Sequence, residues 1–309
     1  MTFLKNPWPL LLAFLAIGFT ACNDDDMDDP VVPEPQTISE LAANTPELSS
    51  LVAALTDAGL VSVLDGNGPF TVFAPNNDAF DAASATLSGL TQQQVTDVLL
   101  YHVIGGASLP AAAIQDGQTY VTTAAETGPD GEQLSMLIEK DGSSVTVNGD
   151  VDVVTADVAA TNGTIHIVDE IILPPNVVMA AMDNPSIFSE LVTALGAAAD
   201  LDDGASIIDA LNGDGPFTVF APNNAAFADA PAGLTAEQLR NVLLYHVVSG
   251  NVDSGEIPAS AETLLGQTLN FDGTSISDTT TESATITFTD VQTTNGIVHV
   301  IDKVLIPAL

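Results

Sequence analysis

Hydrophobic positions along the chain follow two spacings, one typical of helices and one typical of strands. In the first helical stretch, apolar residues recur three and four positions apart at Leu48, Leu51, Val52 and Leu55. This spacing predicts an amphipathic helix with a single buried stripe. We expect Thr45 to cap its start, Pro46 to occupy its first turn and Gly59 to end it.

A second helical pattern begins at Thr91 and carries an apolar face that includes Val98. Thr91 is followed three residues later by Gln94, and Thr235 is followed in the same way by Gln238. This spacing is that of a capping box, in which each side chain accepts a hydrogen bond from the other residue's backbone N–H. The sequence therefore predicts two equivalent helix starts.

Strand patterns dominate the later part of each half of the chain. The segment from Phe70 to Pro75 is rich in β-forming residues and ends in proline, which predicts a strand that leads into a turn at Asn76-Asn77. Further strand-like segments run from Leu134 to Glu139, from Val145 to Val147 and from Ile165 to Leu173. Helices that come early and strands that come late predict an α+β fold rather than alternating parallel units.

Three sequence blocks occur twice and in the same order. The repeated pairs are Gly68 to Phe80 with Gly215 to Phe227, Val98 to Ile104 with Val242 to Val248, and Thr161 to Asp169 with Thr294 to Asp302. The repeated unit is roughly 130 to 140 residues long, which is the size of a whole domain with its own core. The chain is therefore predicted to contain two duplicated domains.

The blocks Thr-Val-Phe-Ala-Pro-Asn-Asn, Tyr-His and Asn-Gly-x-x-His-x-x-Asp resemble the fasciclin domain. The resemblance covers residues 37–174 and 175–309, which we predict to be two tandem fasciclin-like domains. It implies that each domain is a β-sheet wedge with helices packed against it. It also implies a role in adhesion or extracellular binding, with an unidentified cell-surface, matrix or glycan ligand.

The resemblance also marks the repeated Tyr-His pairs as candidate binding residues. Some animal fasciclin proteins use this motif in integrin binding, which would carry the role to Tyr101, His102, Tyr245 and His246. The alternative from the residues themselves is structural. At the end of an apolar helix, such side chains commonly bury their rings and hydrogen-bond their tips.

The N-terminal residues predict export and lipid attachment. Residues 1–21 have a positive start and a short apolar run, typical of a signal peptide and shorter than the roughly 20 residues of a membrane-spanning helix. The segment Phe19-Thr20-Ala21-Cys22 resembles a bacterial lipobox, which implies cleavage before Cys22 and lipidation of its thiol. The protein would then be held to a membrane through its N-terminal lipid.

Residues 22–36 are acidic and rich in proline, which predicts a solvated, extended tether. An acidic run behind a lipidated cysteine resembles the export signal of some Gram-negative lipoproteins. It implies a place in the outer membrane of the cell envelope, facing the cell exterior. A plain spacer is the alternative interpretation.

Charge limits the classes of partner. The 309 residues include 41 Asp and Glu against 4 Lys and Arg, for a formal net charge of −37 at pH 7. Binding to nucleic acid or to an anionic lipid surface requires clustered basic side chains. We therefore expect no nucleic acid partner.

The sequence contains few residues arranged as metal ligands or as catalytic groups. His166 and Asp169 lie three apart in a predicted strand, so they should face opposite sides of the sheet and fail to chelate one ion. Asp200, Asp202 and Asp203 form a candidate calcium site, with an exposed acidic loop as the alternative. The motifs predict no cofactor.

The residues leave three functional hypotheses. The first is a surface lipoprotein that acts in adhesion and is not an enzyme. The second is an envelope module that binds a small ligand or a glycan without an adhesive role. The third is a hydrolase that uses two carboxylates, for which no pair among the 41 acidic residues is singled out.

Overall fold

The computed structural model describes residues 34–199, 206–231 and 233–308, and residues 35–309 belong to one compact unit. The predicted signal peptide, Cys22 and nearly all of the predicted tether lie outside the described residues. Asp200, Asp202 and Asp203 also lie outside them, so the calcium site stays a prediction.

The first half of the described chain begins with helices and ends with strands. Its α-helices are α1 (Ile38–Asn44), α2 (Ser49–Asp57), α3 (Val61–Leu64), α4 (Asn77–Ala82), α5 (Ser84–Ser88) and α6 (Gln92–Tyr101). Its strands are β1 (Phe70–Pro75), β2 (Val103–Gly105), β3 (Gly117–Thr122), β4 (Ser135–Asp141), β5 (Ser144–Val147), β6 (Val151–Ala160) and β7 (Gly163–Val168).

The second half follows the same plan. Its α-helices are α7 (Val177–Met182), α8 (Pro185–Ala199), α9 (Ile207–Leu211) and α10 (Ala236–Tyr245). Its strands are β8 (Phe217–Pro222), β9 (Val247–Ser249), β10 (Ser260–Glu262), β11 (Thr268–Asp272), β12 (Ser275–Ser277), β13 (Ala284–Thr293) and β14 (Gly296–Ile301). Short 3₁₀ helices cover Pro46–Leu48, Pro129–Gly131 and Asn224–Asp229.

Each half contains a 7-stranded sheet, and the two sheets share one topology. The strand order is β2-β1-β7-β6-β5-β4-β3 in the first sheet and, read from the corresponding edge, β9-β8-β14-β13-β12-β11-β10 in the second. The pairs β1–β7 and β8–β14 are parallel, and the other pairs are antiparallel. The matching order confirms the predicted α+β fold with two tandem domains.

The repeated blocks occupy equivalent positions in the two sheets. The first block forms β1 and β8, the second ends α6 and α10, and the third forms β7 and β14. Both predicted capping boxes are present, at Thr91 with Gln94 and at Thr235 with Gln238. Local sequence thus starts these two helices as expected.

Three local predictions were wrong. Thr45 occupies the N-cap position of the 3₁₀ helix Pro46–Leu48, but its hydroxyl makes no capping bond there, because it donates instead to Leu41 O of an unpredicted helix, α1, at 2.8 Å. Asn76 caps α4 rather than forming a turn, since its Oδ1 accepts from Ala79 N at 2.8 Å. The strand predicted to reach Leu173 ends at Val168, and beyond it Ile172 N donates to the ring of His102 instead of to a neighbouring strand.

A buried asparagine ties the helical layer to the sheet in each half. Asn162 Oδ1 accepts from Ile38 N at 3.0 Å, and its Nδ2 donates to Leu64 O at 2.7 Å and Gly66 O at 2.8 Å. Asn295 makes the three equivalent bonds in the second half, at 3.0, 2.7 and 2.9 Å. These asparagines satisfy backbone groups that the turn would otherwise leave buried and unpaired.

Candidate functional site

The repeated tyrosines lie in the core of their domains. Tyr101 is fully buried, donates to Ser135 O at 2.8 Å and accepts from Asn148 Nδ2 at 3.1 Å. Tyr245 is equally buried and donates to Thr268 O at 3.2 Å. Burial raises the pKa of both hydroxyls above the ordinary value of 10.0. Each tyrosine therefore connects the end of a helix to the far strands of its sheet.

The histidines that follow are buried as well, with 2% of each surface exposed. Nδ1 of His102 lies 2.7 Å from the carbonyl oxygen four residues earlier in α6, and Ile172 N donates to its Nε2 at 2.9 Å. His246 repeats both bonds, with Leu305 N as the donor at 2.9 Å. These partners assign the ring proton to Nδ1. Each ring is thus a neutral link between a helix end and the segment after the last strand.

The structure places all four residues of the Tyr-His pairs away from the surface. Their geometry matches the structural alternative, in which rings are buried and polar tips are hydrogen-bonded. The direct binding role remains a prediction.

His166 and His299 also hold backbone groups. His166 Nε2 lies 2.8 Å from Leu109 O, and His299 Nε2 lies 2.9 Å from Val252 O. Their Nδ1 atoms accept from the backbone N–H of Asp157 and of Asp290 at 3.4 and 3.2 Å. Burial lowers the pKa of both rings, and backbone hydrogen bonding opposes the shift.

The aspartates that follow these histidines in sequence have different partners. Asp169 Oδ1 accepts from Asp152 N at 3.0 Å, and Asp302 Oδ1 accepts from Thr285 N at 2.6 Å. Each histidine and its aspartate are therefore satisfied separately by backbone groups. Among the described residues, no group of three or more His, Cys, Asp or Glu side chains is arranged to hold a metal ion.

The two described lysines are engaged in local contacts. Lys140 Nζ donates to Ala111 O and Ile114 O at 2.9 and 2.8 Å. Lys303 Nζ lies 3.6 Å from Asp278 Oδ2. No helix in the described part of the chain is long and apolar enough to cross a membrane.

The two domains meet through β3 and β4 of the first and through β13 and the α7–α8 region of the second. Ser135 Oγ accepts from Gln292 N at 3.0 Å and lies 3.4 Å from Asp290 O. Nearby, Gln118 Nε2 donates to Asn184 Oδ1 at 2.7 Å. Because Ser135 and Gln292 lie 157 residues apart, these bonds join segments that no local motif relates.

A cleft of about 490 Å³ lies between the domains, and we call it the interdomain cleft. It is lined by Gln118, Tyr120, Ser186, Ile187, Asn223, Asn224, Ala225, Thr287, Phe288 and Val300. Tyr120 and Phe288 form an aromatic pair whose ring centroids are 5.3 Å apart and whose planes are inclined by 39°. Phe288 is 44% exposed, so part of its ring surface is accessible at the cleft.

Tyr120 links the cleft to the second domain. Its ring packs against the core cluster that includes Phe188 and Val298. Its hydroxyl accepts from Asn184 Nδ2 at 3.2 Å, and burial raises its pKa. Sequence reasoning missed this site because its side chains come from distant segments and none of the cleft's aromatic residues falls in a repeated block. The only indication was that Tyr120 is the one tyrosine outside the Tyr-His pairs.

Comparison with known proteins agrees with this architecture. A model of the fasciclin domain matches residues 46–174 and 186–307. Protein sll1483 of Synechocystis sp. is 44% identical over 144 residues, which cover 45% of this chain and 74% of that protein. Transforming growth factor-beta-induced protein ig-h3 of Sus scrofa is 30% identical over 291 residues, or 91% of this chain.

The chain spans only 39% of the length of the Sus scrofa protein and 24% of that of human periostin, another relative. Among solved structures, a FAS1 domain pair from the insect cell adhesion molecule Fasciclin I is 20% identical to this chain, with a TM-score of 0.49. That match covers 85% of this chain and 97% of the other.

Two duplicated α+β domains joined through hydrogen bonds define a tandem-domain protein in which the repeated Tyr-His side chains are buried. The two family matches together cover well over half of the sequence. The chain belongs to the fasciclin domain family, whose members are implicated in cell adhesion or extracellular binding.

Proposed function

We propose that this chain is a lipid-anchored surface protein of a Gram-negative cell that mediates adhesion by extracellular binding through its fasciclin domain pair. The tandem family match is the observation that carries the proposal. The mechanism is binding rather than turnover. In support, all four histidines are held by backbone groups on both ring nitrogens, so none is available as a general base.

Lipidation of Cys22 supplies the anchor in this proposal. Cys22 is the only cysteine in the chain and follows a segment that resembles a lipobox. Cells grown with an alkyne-tagged palmitate should label the native chain and leave a Cys22→Ser variant unlabelled. Equal labelling of both chains would contradict the anchor.

Display on the outer face is tested on intact cells. Added protease should degrade the native chain while a periplasmic marker protein stays intact. A chain that survives until the outer membrane is opened would place it inside the envelope and refute the outward orientation.

Adhesion is tested by comparing host cells that lack this chain with cells that regain it. Attachment to neighbouring cells or to matrix-coated surfaces should fall on deletion and return with the native sequence. The Cys22→Ser variant is the matched control, because its domains are unchanged but its anchor is lost. Unchanged attachment in the deleted strain would contradict an adhesive role.

The Tyr-His pairs enter the proposal as residues that hold the domain surface in place. Tyr101→Phe removes one hydroxyl and keeps the ring, so it separates a direct role from a structural one. If ligand binding falls while the unfolding midpoint is unchanged, Tyr101 contacts the ligand in some state of the protein. If both change together, its role is structural.

A further inference from the structure

We propose that the interdomain cleft binds an uncharged stretch of a glycan chain, with Phe288 as the stacking platform for a sugar ring. This inference rests on the proposed extracellular binding function and gives it a site and a class of ligand. It draws on the charge of the cleft, the exposure of its aromatic ring and the hydrogen-bonding groups around that ring.

The charge of the cleft selects the ligand class. The whole chain carries 41 acidic residues, yet none of the residues that line the cleft is acidic or basic. Two carboxylates lie near lining side chains without lining the cleft themselves: Glu139 Oε1 accepts from Gln118 Nε2 at 2.6 Å, and Glu139 and Asp183 both add to the effect of burial in raising the pKa of Tyr120. An anionic glycan would be repelled by a chain of net charge −37, and no basic side chain lines the cleft to offset that repulsion. A neutral sugar is not repelled by the acidic chain and requires no basic side chain to bind.

The aromatic ring supplies the apolar half of a sugar site. Phe288 lies on β13 with 44% of its surface exposed, and Tyr120 supports it from the other domain at a centroid distance of 5.3 Å. A pyranose ring has one or two faces made of C–H groups, which can pack flat on such a surface. Burial of both apolar faces from water favours that contact.

Two hydrogen-bond donors on residues that line the cleft have no acceptor among the described residues. The hydroxyl oxygen of Tyr120 accepts from Asn184 Nδ2, but its own proton is unused. Asn223 Oδ1 accepts from Ala226 N at 2.9 Å, while its Nδ2 donates to no described residue. Sugar hydroxyl and ring oxygens are acceptors of the kind these donors require.

The groups around the donors are fixed in advance. Gln118 Nε2 lies 2.7 Å from Asn184 Oδ1 and 2.6 Å from Ser186 Oγ, and these two oxygens share its two N–H groups with Glu139 Oε1. Asn184 Nδ2 donates back to Gln118 Oε1 at 3.3 Å. The bonds with Asn184 and Ser186 cross from the first domain to the second. A volume of about 490 Å³ falls within the usual range of about 300–1,000 Å³ for small-molecule sites. The cleft therefore needs little reorganisation to accept a ligand.

The test is isothermal titration calorimetry on the full chain carrying Cys22→Ser. The neutral probes are cellohexaose, laminarihexaose, xylohexaose and agarohexaose, and the charged probe is a hexauronate from alginate. At least one neutral probe should bind and the hexauronate should not. Phe288→Ala should weaken the binding by about tenfold or more, because it removes the platform.

Three further variants separate lost contacts from lost folding. Phe288→Leu keeps apolar volume and removes the flat ring, so it should weaken binding nearly as much. Asn223→Asp keeps the helix-capping oxygen and replaces the free donor by a carboxylate, so it should also weaken binding. Val154→Ala is the matched control, since Val154 is 53% exposed on the equivalent strand β6 and lies outside the cleft. It should bind as the parent does.

The outcomes distinguish this inference from the proposed function. Binding of a neutral probe that resists every cleft variant overturns the site, and binding of the hexauronate alone overturns the ligand class. If no probe binds while the host cells still adhere through this chain, the cleft inference fails and the adhesive function stands. If a neutral probe binds in the cleft and deletion leaves adhesion unchanged, the cleft inference stands and the adhesive function fails.

Discussion

Acidification from about pH 7 to about pH 5 should destabilise the first domain through His102, and His102→Gln should remove that part of the response. Nδ1 of this ring donates to Val98 O and Nε2 accepts from Ile172 N. A second proton, on Nε2, would point an N–H of the ring at the N–H of Ile172, and the hydrogen bond between them would be lost. Burial lowers the pKa of His102 from 6.5 to about 4, and the bond to Val98 opposes the shift without reversing it.

The sign and size follow from the two pKa values. Between about pH 6.5 and about pH 4, the unfolded chain binds a proton at His102 and the folded chain does not, so the free energy of unfolding falls as the pH falls. A shift of this size corresponds to about 3 kcal/mol when titration is complete. About 2 kcal/mol of that should be lost between about pH 7 and about pH 5. His246 has equivalent bonds and a pKa of about 4, so the second domain should respond in the same direction.

The assay is urea unfolding of the Cys22→Ser chain, followed by far-ultraviolet circular dichroism at the two pH values. The many carboxylates also titrate in this range, and they are common to the parent and to His102→Gln. The difference between the two pH dependences therefore isolates the histidine. His102→Gln should be less stable at about pH 7 but lose less stability on acidification.

Thr91→Ala serves as the control for destabilisation alone. It removes the capping hydroxyl of the same helix, should cost about 1 kcal/mol, and carries no titrating group. Its pH dependence should equal that of the parent. Equal pH dependences in the parent and in His102→Gln would refute the argument, because the buried ring would then be protonated as easily as in the unfolded chain.

Three other consequences of the structure can be measured. Asn162→Ala and Asn295→Ala should each cost about 3–5 kcal/mol of unfolding free energy in its own domain, since each leaves two buried backbone groups and one part-buried backbone group unpaired. Asp183→Asn should stabilise the chain above about pH 7 and have little effect below about pH 4, because burial and then Asp150 raise the pKa of Asp183 to about 7. Added sodium chloride should raise the thermal midpoint, because it screens repulsion within a chain of net charge −37.

Each of these three predictions has a result that would contradict it. Loss of less than about 1 kcal/mol in either asparagine variant would mean that water replaces the amide. Asp183 is half-exposed, so we expect about 1–2 kcal/mol from its substitution, and destabilisation at high pH would show that its carboxylate makes favourable contacts. A thermal midpoint that falls with salt would show that attractive charge pairs dominate.

The sequence predicted the parts of the fold that depend on local chemistry or on repetition. Thr91 and Thr235 begin their helices as expected, because a capping box is complete within four residues. The strand from Phe70 was predicted from its β-forming residues and was confirmed. The duplication predicted two domains of one topology, since equal sequences in equal order fold alike.

Errors arose where one residue type serves two structures. Asparagine favours both turns and helix N-caps, so Asn76 was assigned to a turn although it caps α4. Thr45 precedes a proline, as a cap would, but the helix before it claims its hydroxyl. The strand after Ile165 was predicted too long, because His102 takes the N–H of Ile172 from a distance of 70 residues. No local pattern records that contact.

The candidate site was beyond sequence reasoning for a related reason. The Tyr-His pairs could be identified from the sequence because they are repeated. A side chain that occurs at the same place in both copies is expected to serve the fold that the two domains share. Tyr101 and His102 are accordingly buried and bonded within one domain. The interdomain cleft has the opposite character, since Tyr120 and Phe288 come from different domains and from unrepeated segments.

The two sheets have edge strands of different length, and this difference explains why the cleft forms only when both domains are present. β3 forms one edge of the first sheet over Gly117–Thr122, while its counterpart β10 covers only Ser260–Glu262. An exposed edge strand invites unwanted pairing and is usually short or covered. The second domain keeps this edge short, whereas the first covers the longer edge by docking Gln118 and Tyr120 onto the α7–α8 region. The same contacts form one wall of the cleft, so a separated first domain would retain its core and lose the site.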